Sequence, residues 1–177
     1  GTHDDFGSHY FTAEELIDVT ARAEAAGLPL KFHANGDAAI AAVLDALEAI
    51  APLSQPHVID HAVLIDEADY SRMSALGVTA SIQPGHALVA AFGSSAEAWG
   101  EERFERAYDY TALEDAGVNL AMGTDWPVWP TLHSANNLWS AVSVEHPIEL
   151  TTAITAYTTG GAEAVGQGGV LGCLSVG

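Results

Sequence analysis

The chain has 177 residues and a formal charge of −19, from 24 acidic and five basic side chains. That length suits one domain, and a composition 49% hydrophobic with a mean hydropathy of +0.16 excludes a disordered acidic tail. Five cations neither neutralise a phosphate backbone nor hold an anionic bilayer, so nucleic-acid and membrane partners are excluded, and the lone Cys173 excludes an internal disulfide and a four-cysteine zinc site.

The opening GTHDDFGSHYFT lacks the basic region and apolar core of a signal peptide. Thr12 and Glu15 have the spacing of a capping box and predict a helix to Ala26, with Gly27 just past its end. Leu28 to His33 is a short apolar run, expected to be a buried strand. Asn35-Gly36-Asp37 is a turn signal, with Asp37 the expected N-cap of a helix from Ala38 to Ile50. Pro52 and Pro56 precede a second strand, His57 to Leu64. A helix from Asp66 to Leu76 stops at Gly77, and a third strand runs from Val78 to Gln83. Gly85 to Gly100 has no clean period and reads as a loop with at most a helical turn. Glu101 to Ala116 reads as one helix, Val118 to Gly123 as a fourth strand, and Thr124 to Pro130 as a tight loop. Two helices close the chain, Ser134 to Val144 and Leu150 to Val165, the second capped by Thr151 or Thr152. The Gly-rich close GGVLGCLSVG has no polar tail. Both ends read as cut, so the expectation is a single partial domain over residues 1–177 of a longer protein.

Alternating helices and apolar strands with short connections mean parallel strands and βαβ crossovers, an α/β fold. The residues leave two architectures open, an open doubly wound sheet or half of a (β/α)8 barrel. The first strand is followed by His-Ala-Asn-Gly-Asp, which is neither the dinucleotide fingerprint nor a P-loop.

Polar residues recur at the strand ends. His33 closes the first strand, His61 lies near the end of the second, Gln83 closes the third with His86 just beyond, and Asp125 follows the fourth. In parallel α/β folds the carboxyl ends of the strands form the active-site face. Two imidazoles and one carboxylate suit zinc or a similar divalent ion with a position left for water, and Asp125 is placed to move a proton. His57 lies four residues before His61 and reads as structural. Lys31 points the same way as His33, one layer down, and is expected to contact a carboxylate or a ligand.

Four ordered motifs, HANGDAAI (33–40), HVIDHA (57–62), TASIQPGHA (79–87) and GTDWPV (123–128), resemble the later half of the amidohydrolase family 3 proteins. That group includes the N-substituted formamide deformylases, within the metal-dependent amidohydrolase superfamily. TAITAYTTGGAEAVG and the close that follows it are similar to the segment after the barrel in that family. The resemblance implies strands five to eight of a (β/α)8 barrel. His33, His61 and Asp125 would be metal ligands and Asp125 also the proton shuttle, with Gln83, His86 and Trp126 lining the substrate pocket. The family's first-strand His-x-His, its strand-four bridging residue and its flanking β-domain have no counterpart here. Asp60 stands where Glu is usual.

The function expected on this resemblance is hydrolysis of an amide or formamide C–N bond, with one or two divalent ions, zinc first, and a small-molecule amide as substrate. The isolated chain is expected to be weak or inactive. The alternative is a non-catalytic half-barrel that dimerises, or pairs with a partner half, through its exposed sheet edges. A third reading, a doubly wound ligand-binding domain, lacks a phosphate-cradling loop. The missing signal peptide and disulfides fit a cytoplasmic location.

Overall fold

Helices alternate with four short parallel strands. In the computed structural model, residues 8–92 and 99–174 are described; residues 1–7 and 175–177, and 93–98 of the expected Gly85–Gly100 loop, lie outside them. The capping box opens α1 (Ala13–Ala25): Glu15 N donates to Thr12 Oγ1 (3.2 Å) and Thr12 N to Glu15 Oε2 (2.9 Å). Gly27, at φ +69°, takes the left-handed turn beyond it. β1 (Lys31–Ala34), β2 (Val58–His61), β3 (Thr79–Ile82) and β4 (Asn119–Met122) pair in parallel in the order β1-β2-β3-β4. His33 sits opposite Asp60, Asp60 opposite Ser81, and Ile82 opposite Met122.

The helices between them are α2 (Asp37–Ile50), α3 (Glu67–Leu76), α4 (Pro84–Phe92), α5 (Glu101–Glu105) and α6 (Tyr110–Asp115), and after β4 come α7 (Ser134–Ala141), α8 (Leu150–Tyr157) and α9 (Thr159–Ala164). Ile40, Leu44 and Leu47 of α2 pack with Ile59, Met73, Ile82, Tyr110 and Leu113 in one buried core. Each such aliphatic side chain contributes about 1.5–3 kcal/mol of burial. β3, in the middle of the sheet, is buried along its whole length, whereas Lys31 and His33 on the end strand β1 are exposed. Among the described strands β1 pairs on one side only, and the Lys31 side chain is 59% exposed and paired with Asp60.

Several expected boundaries move for identifiable reasons. The N-cap of α2 is Gly36; Asp37 is its first helical residue, and its Oδ1 accepts from Ala38 N (2.8 Å). The expected loop after β3 begins instead as α4, because Pro84 fills the first helical position, where its missing N–H is not needed. The expected helix from Glu101 to Ala116 is two. Tyr108 turns left-handed (φ +59°) and gives its N–H to Val63 O (2.7 Å), and Asp109 then caps α6 by accepting from Ala112 N (2.9 Å). The last expected helix divides at Thr158 into α8 and α9, and Glu149 rather than Thr151 or Thr152 is the N-cap. Gly160 of α9 sits on β4 so closely that a Cβ there would lie 2.0 Å from the Leu120 carbonyl oxygen; this close approach requires glycine.

Candidate metal centre

The carboxyl ends of β2, β3 and β4 gather three donors. Ile59 of β2 is in the core, but the backbone turns left-handed at His61 (φ +76°) and Ala62 (φ +48°). The His61 ring consequently lies edge-on to His33, with centroids 4.5 Å apart. After β4, Gly123 N still donates to Ile82 O (3.1 Å), and then Asp125 adopts φ +56°. The Asp125 carbonyl accepts from Val128 N (2.8 Å), closing a tight turn. Left-handed backbone at a residue with a side chain costs about 1–3 kcal/mol and persists only where the surroundings impose it. His61 and Asp125 both carry that cost within one site.

His86 comes from the first turn of α4, where its N–H is held by Gln83 O (2.9 Å). One ligand atom each from His61, His86 and Asp125 lies within 4.8 Å of the other two. His61 and His86 stack with centroids 6.1 Å apart, and His86 Nε2 is 3.9 Å from Asp125 Oδ2, beyond hydrogen-bond reach. That Nε2 is buried and has no hydrogen-bond partner among the described residues. Burial lowers the His86 pKa below the ordinary histidine value; the Asp125 charge opposes the shift and His61 adds to it. That direction favours the neutral ring, the form that donates to a metal.

Of the residues singled out in the sequence, the structure brings His61 and Asp125 together and adds His86, expected in the substrate pocket. His33 stands beside the group, with its Nε2 2.9 Å from the Asn35 side-chain amide nitrogen. Gln83 is buried, its amide nitrogen donating to Ser81 O (2.9 Å) and Asp60 Oδ1 (3.3 Å). Asp60 also meets Lys31 Nζ at 3.2 Å, so Lys31 finds the carboxylate the sequence reading asked for. Trp126 is 59% exposed next to Asp125. His57 is away from the cluster. Its Nδ1 accepts from Leu30 N (3.1 Å) and its Nε2 meets Glu24 Oε2 (2.8 Å), which fixes α1 to the start of β2. Asn35 and Asp60 both lie within the motifs, but nothing in the sequence marked Asn35 as the partner of His33 or Asp60 as the hub for Lys31 and Gln83.

A buried imidazole nitrogen without a partner costs about 1–3 kcal/mol. Two imidazoles and a carboxylate converging around it are a donor set that fits zinc or a similar divalent cation.

A parallel βα sheet with imidazole and carboxylate donors at successive strand ends defines a class, the barrel-type proteins whose active site lies on the carboxyl face. The chain belongs to the amidohydrolase family, whose model matches residues 2–177. It is 30% identical to an N-substituted formamide deformylase of Arthrobacter pascens over 97% of this chain and 34% of that protein. It is 28% identical to the protein LONG AFTER FAR-RED 3 of Arabidopsis thaliana over 99% of this chain and 33% of that one. An uncharacterised metal-dependent hydrolase from Pyrococcus furiosus superposes with a TM-score of 0.84 at 28% identity, over 95% of this chain and 35% of its own. The fold is therefore the four-strand segment expected of an amidohydrolase barrel. The chain spans about a third of the length of the relatives it matches. Among the described residues no helix is long and apolar enough to cross a membrane.

Proposed function

We propose that these residues form the second half of a metal-dependent hydrolase site that cleaves the C–N bond of a small amide or formamide. The observation that carries the reading is the convergence of His61, His86 and Asp125 around a buried nitrogen with no partner among the described residues. These three would hold a divalent ion, with zinc the first choice for two nitrogens and an oxygen. His33 is the next donor, available when the Asn35 amide turns away from its Nε2. When bound, such an ion supplies Lewis acidity and makes water acidic near pH 7.

The remaining chemistry belongs to the chain. The Asp125 carboxylate, 38% exposed at the mouth, accepts a proton from the attacking water and returns it to the leaving nitrogen. Burial keeps His86 neutral, so it holds position as a donor and does not compete for that proton. The exposed Trp126 offers an apolar wall beside Asp125 for the substituent on the substrate nitrogen. Gln83, anchored to Asp60 and Ser81, closes the floor on the substrate side. The similarity to a protein named N-substituted formamide deformylase supports this substrate class over esters or phosphates.

The test is formate and amine release from a panel of N-substituted formamides and simple amides by the whole gene product, with Zn2+, Co2+ or Mn2+. Metal-dependent turnover that disappears in Asp125→Asn is expected. A metal-loaded protein that turns over no member of the panel contradicts the reading.

A second reading rests on a different observation. Among the described strands, β1 and β4 each pair on one side only, which favours association of two copies or of complementary halves through those edges. Light scattering at rising concentration tests it; a stable monomer throughout contradicts it.

A further inference from the structure

The loops after β3 and β4 meet through a contact that the metal site does not itself need. Trp129 lies four residues past Asp125, at the end of the turn in which the Asp125 carbonyl accepts from Val128 N (2.8 Å) and Trp129 N (3.4 Å). Its indole lies against Gly85, the second residue of α4. A Cβ at Gly85 would stand 2.8 Å from Trp129 Cε2 and 2.9 Å from Cδ2, closer than carbon atoms pack. The same indole leans on the next residue, His86, with ring centroids 6.5 Å apart and planes at 59°. The main-chain positions of Asp125 and Trp129 are thus fixed to each other, and the ring of one presses on the element that carries His86. Behind them α4 packs on α7, which follows the same loop.

We infer that Trp129 is a positioning residue, seated on Gly85, that holds the His86 ring toward Asp125. The inference rests on the metal-site reading above only for what the ring is held to do. Among the described residues His86 Nε2 has no hydrogen bond to orient it, and the Trp129 indole is a packing contact against the ring. Outer partners of metal-ligating histidines typically contribute about 10–100-fold in metal affinity by fixing ring orientation, and this one would act through an indole face in place of a carboxylate. Gly85 has no left-handed backbone to protect, so glycine there serves the indole and not the chain direction.

The experiment uses two measurements on the 177-residue chain. The first is Co2+ affinity by chelator competition. The second, without metal, is the set of NOEs between the His86 ring and the Asp125 β-protons. Trp129→Ala is expected to lower Co2+ affinity about 10–100-fold and to weaken those NOEs. Trp129→Phe should recover part of both. Gly85→Ala should behave like Trp129→Ala, because its Cβ displaces the indole from its seat. The double variant should be no worse than Trp129→Ala alone, because the clash has lost its partner. Trp139→Ala, which removes an exposed tryptophan of α7, should change neither measurement. Full affinity and unchanged NOEs in Trp129→Ala overturn the inference, as do Gly85→Ala and Trp129→Ala losses that multiply in the double variant. Failure of the unsubstituted chain to bind Co2+ counts against the metal reading, while the NOEs still decide the role of Trp129.

Discussion

His57 and His86 are both shielded imidazoles, and the sheet treats them in opposite ways. His57, at the amino end of β2, has both ring nitrogens engaged, one by a backbone N–H and one by Glu24. His86, at the carboxyl end of β3, keeps a buried Nε2 with no hydrogen-bond partner among the described residues. The first joins α1 to the sheet. On the proposed metal reading the second is a donor, and ligand atoms of His61, His86 and Asp125 lie within 4.8 Å of one another. The two imidazoles differ in the state of the second ring nitrogen, and the proposed metal role of His86 rests on that difference.

The largest effect that sharpens this contrast is on metal affinity. His86→Ala and His61→Ala should each weaken Co2+ binding by more than the about 10–100-fold expected for an outer partner, while His57→Ala leaves it within a few-fold. Equal losses at positions 57 and 86 would erase the distinction. Next is stability in urea. His57→Ala leaves Leu30 N–H and Glu24 without their partner in a packed site and should cost about 2–4 kcal/mol. His86→Phe replaces an unsatisfied polar group with an apolar ring and should be neutral or stabilising. A reversed order breaks the comparison.

The smallest effect is on acid stability. Hydrogen bonding from Ser54 foremost, and also from His57, holds the Glu24 carboxyl below its ordinary value of 4.5, against a smaller opposing effect of burial. A carboxyl held low in the folded state binds fewer protons there than in the unfolded chain. Its contribution is full above about pH 4.5 and is lost as pH falls through the folded value. Glu24→Gln should flatten the fall in stability below that pH; an unchanged acid limb would remove Glu24 from the account.

The sequence made the order of elements legible because the strands are short, lie in largely apolar runs and have Gly or Pro close by, and because Thr12 and Glu15 announce their helix. It made the strand-end donors legible through their recurrence after successive strands. It did not show that Glu101 to Ala116 and Leu150 to Val165 are each two helices. Those breaks depend on a tertiary partner, Val63 O for Tyr108, and on an irregular backbone at Thr158. The role of His86 was hidden for a related reason. The Gly85–Gly100 stretch looks aperiodic, yet Pro84 starts a helix there whose first turn aims the imidazole at the cluster. The turn that brings Asp125 within reach depends on a left-handed backbone that no residue pattern requires. Trp129 escaped notice because its packing partner, Gly85, lies on a different loop.

The central claim is that three side chains from three strand ends share one cation. Anomalous diffraction at the cobalt edge from crystals soaked in Co2+ tests it directly. The account predicts a single strong peak about 2.0–2.2 Å from a nitrogen of His61, a nitrogen of His86 and a carboxylate oxygen of Asp125. A peak at other residues, or none at saturating Co2+, would contradict it.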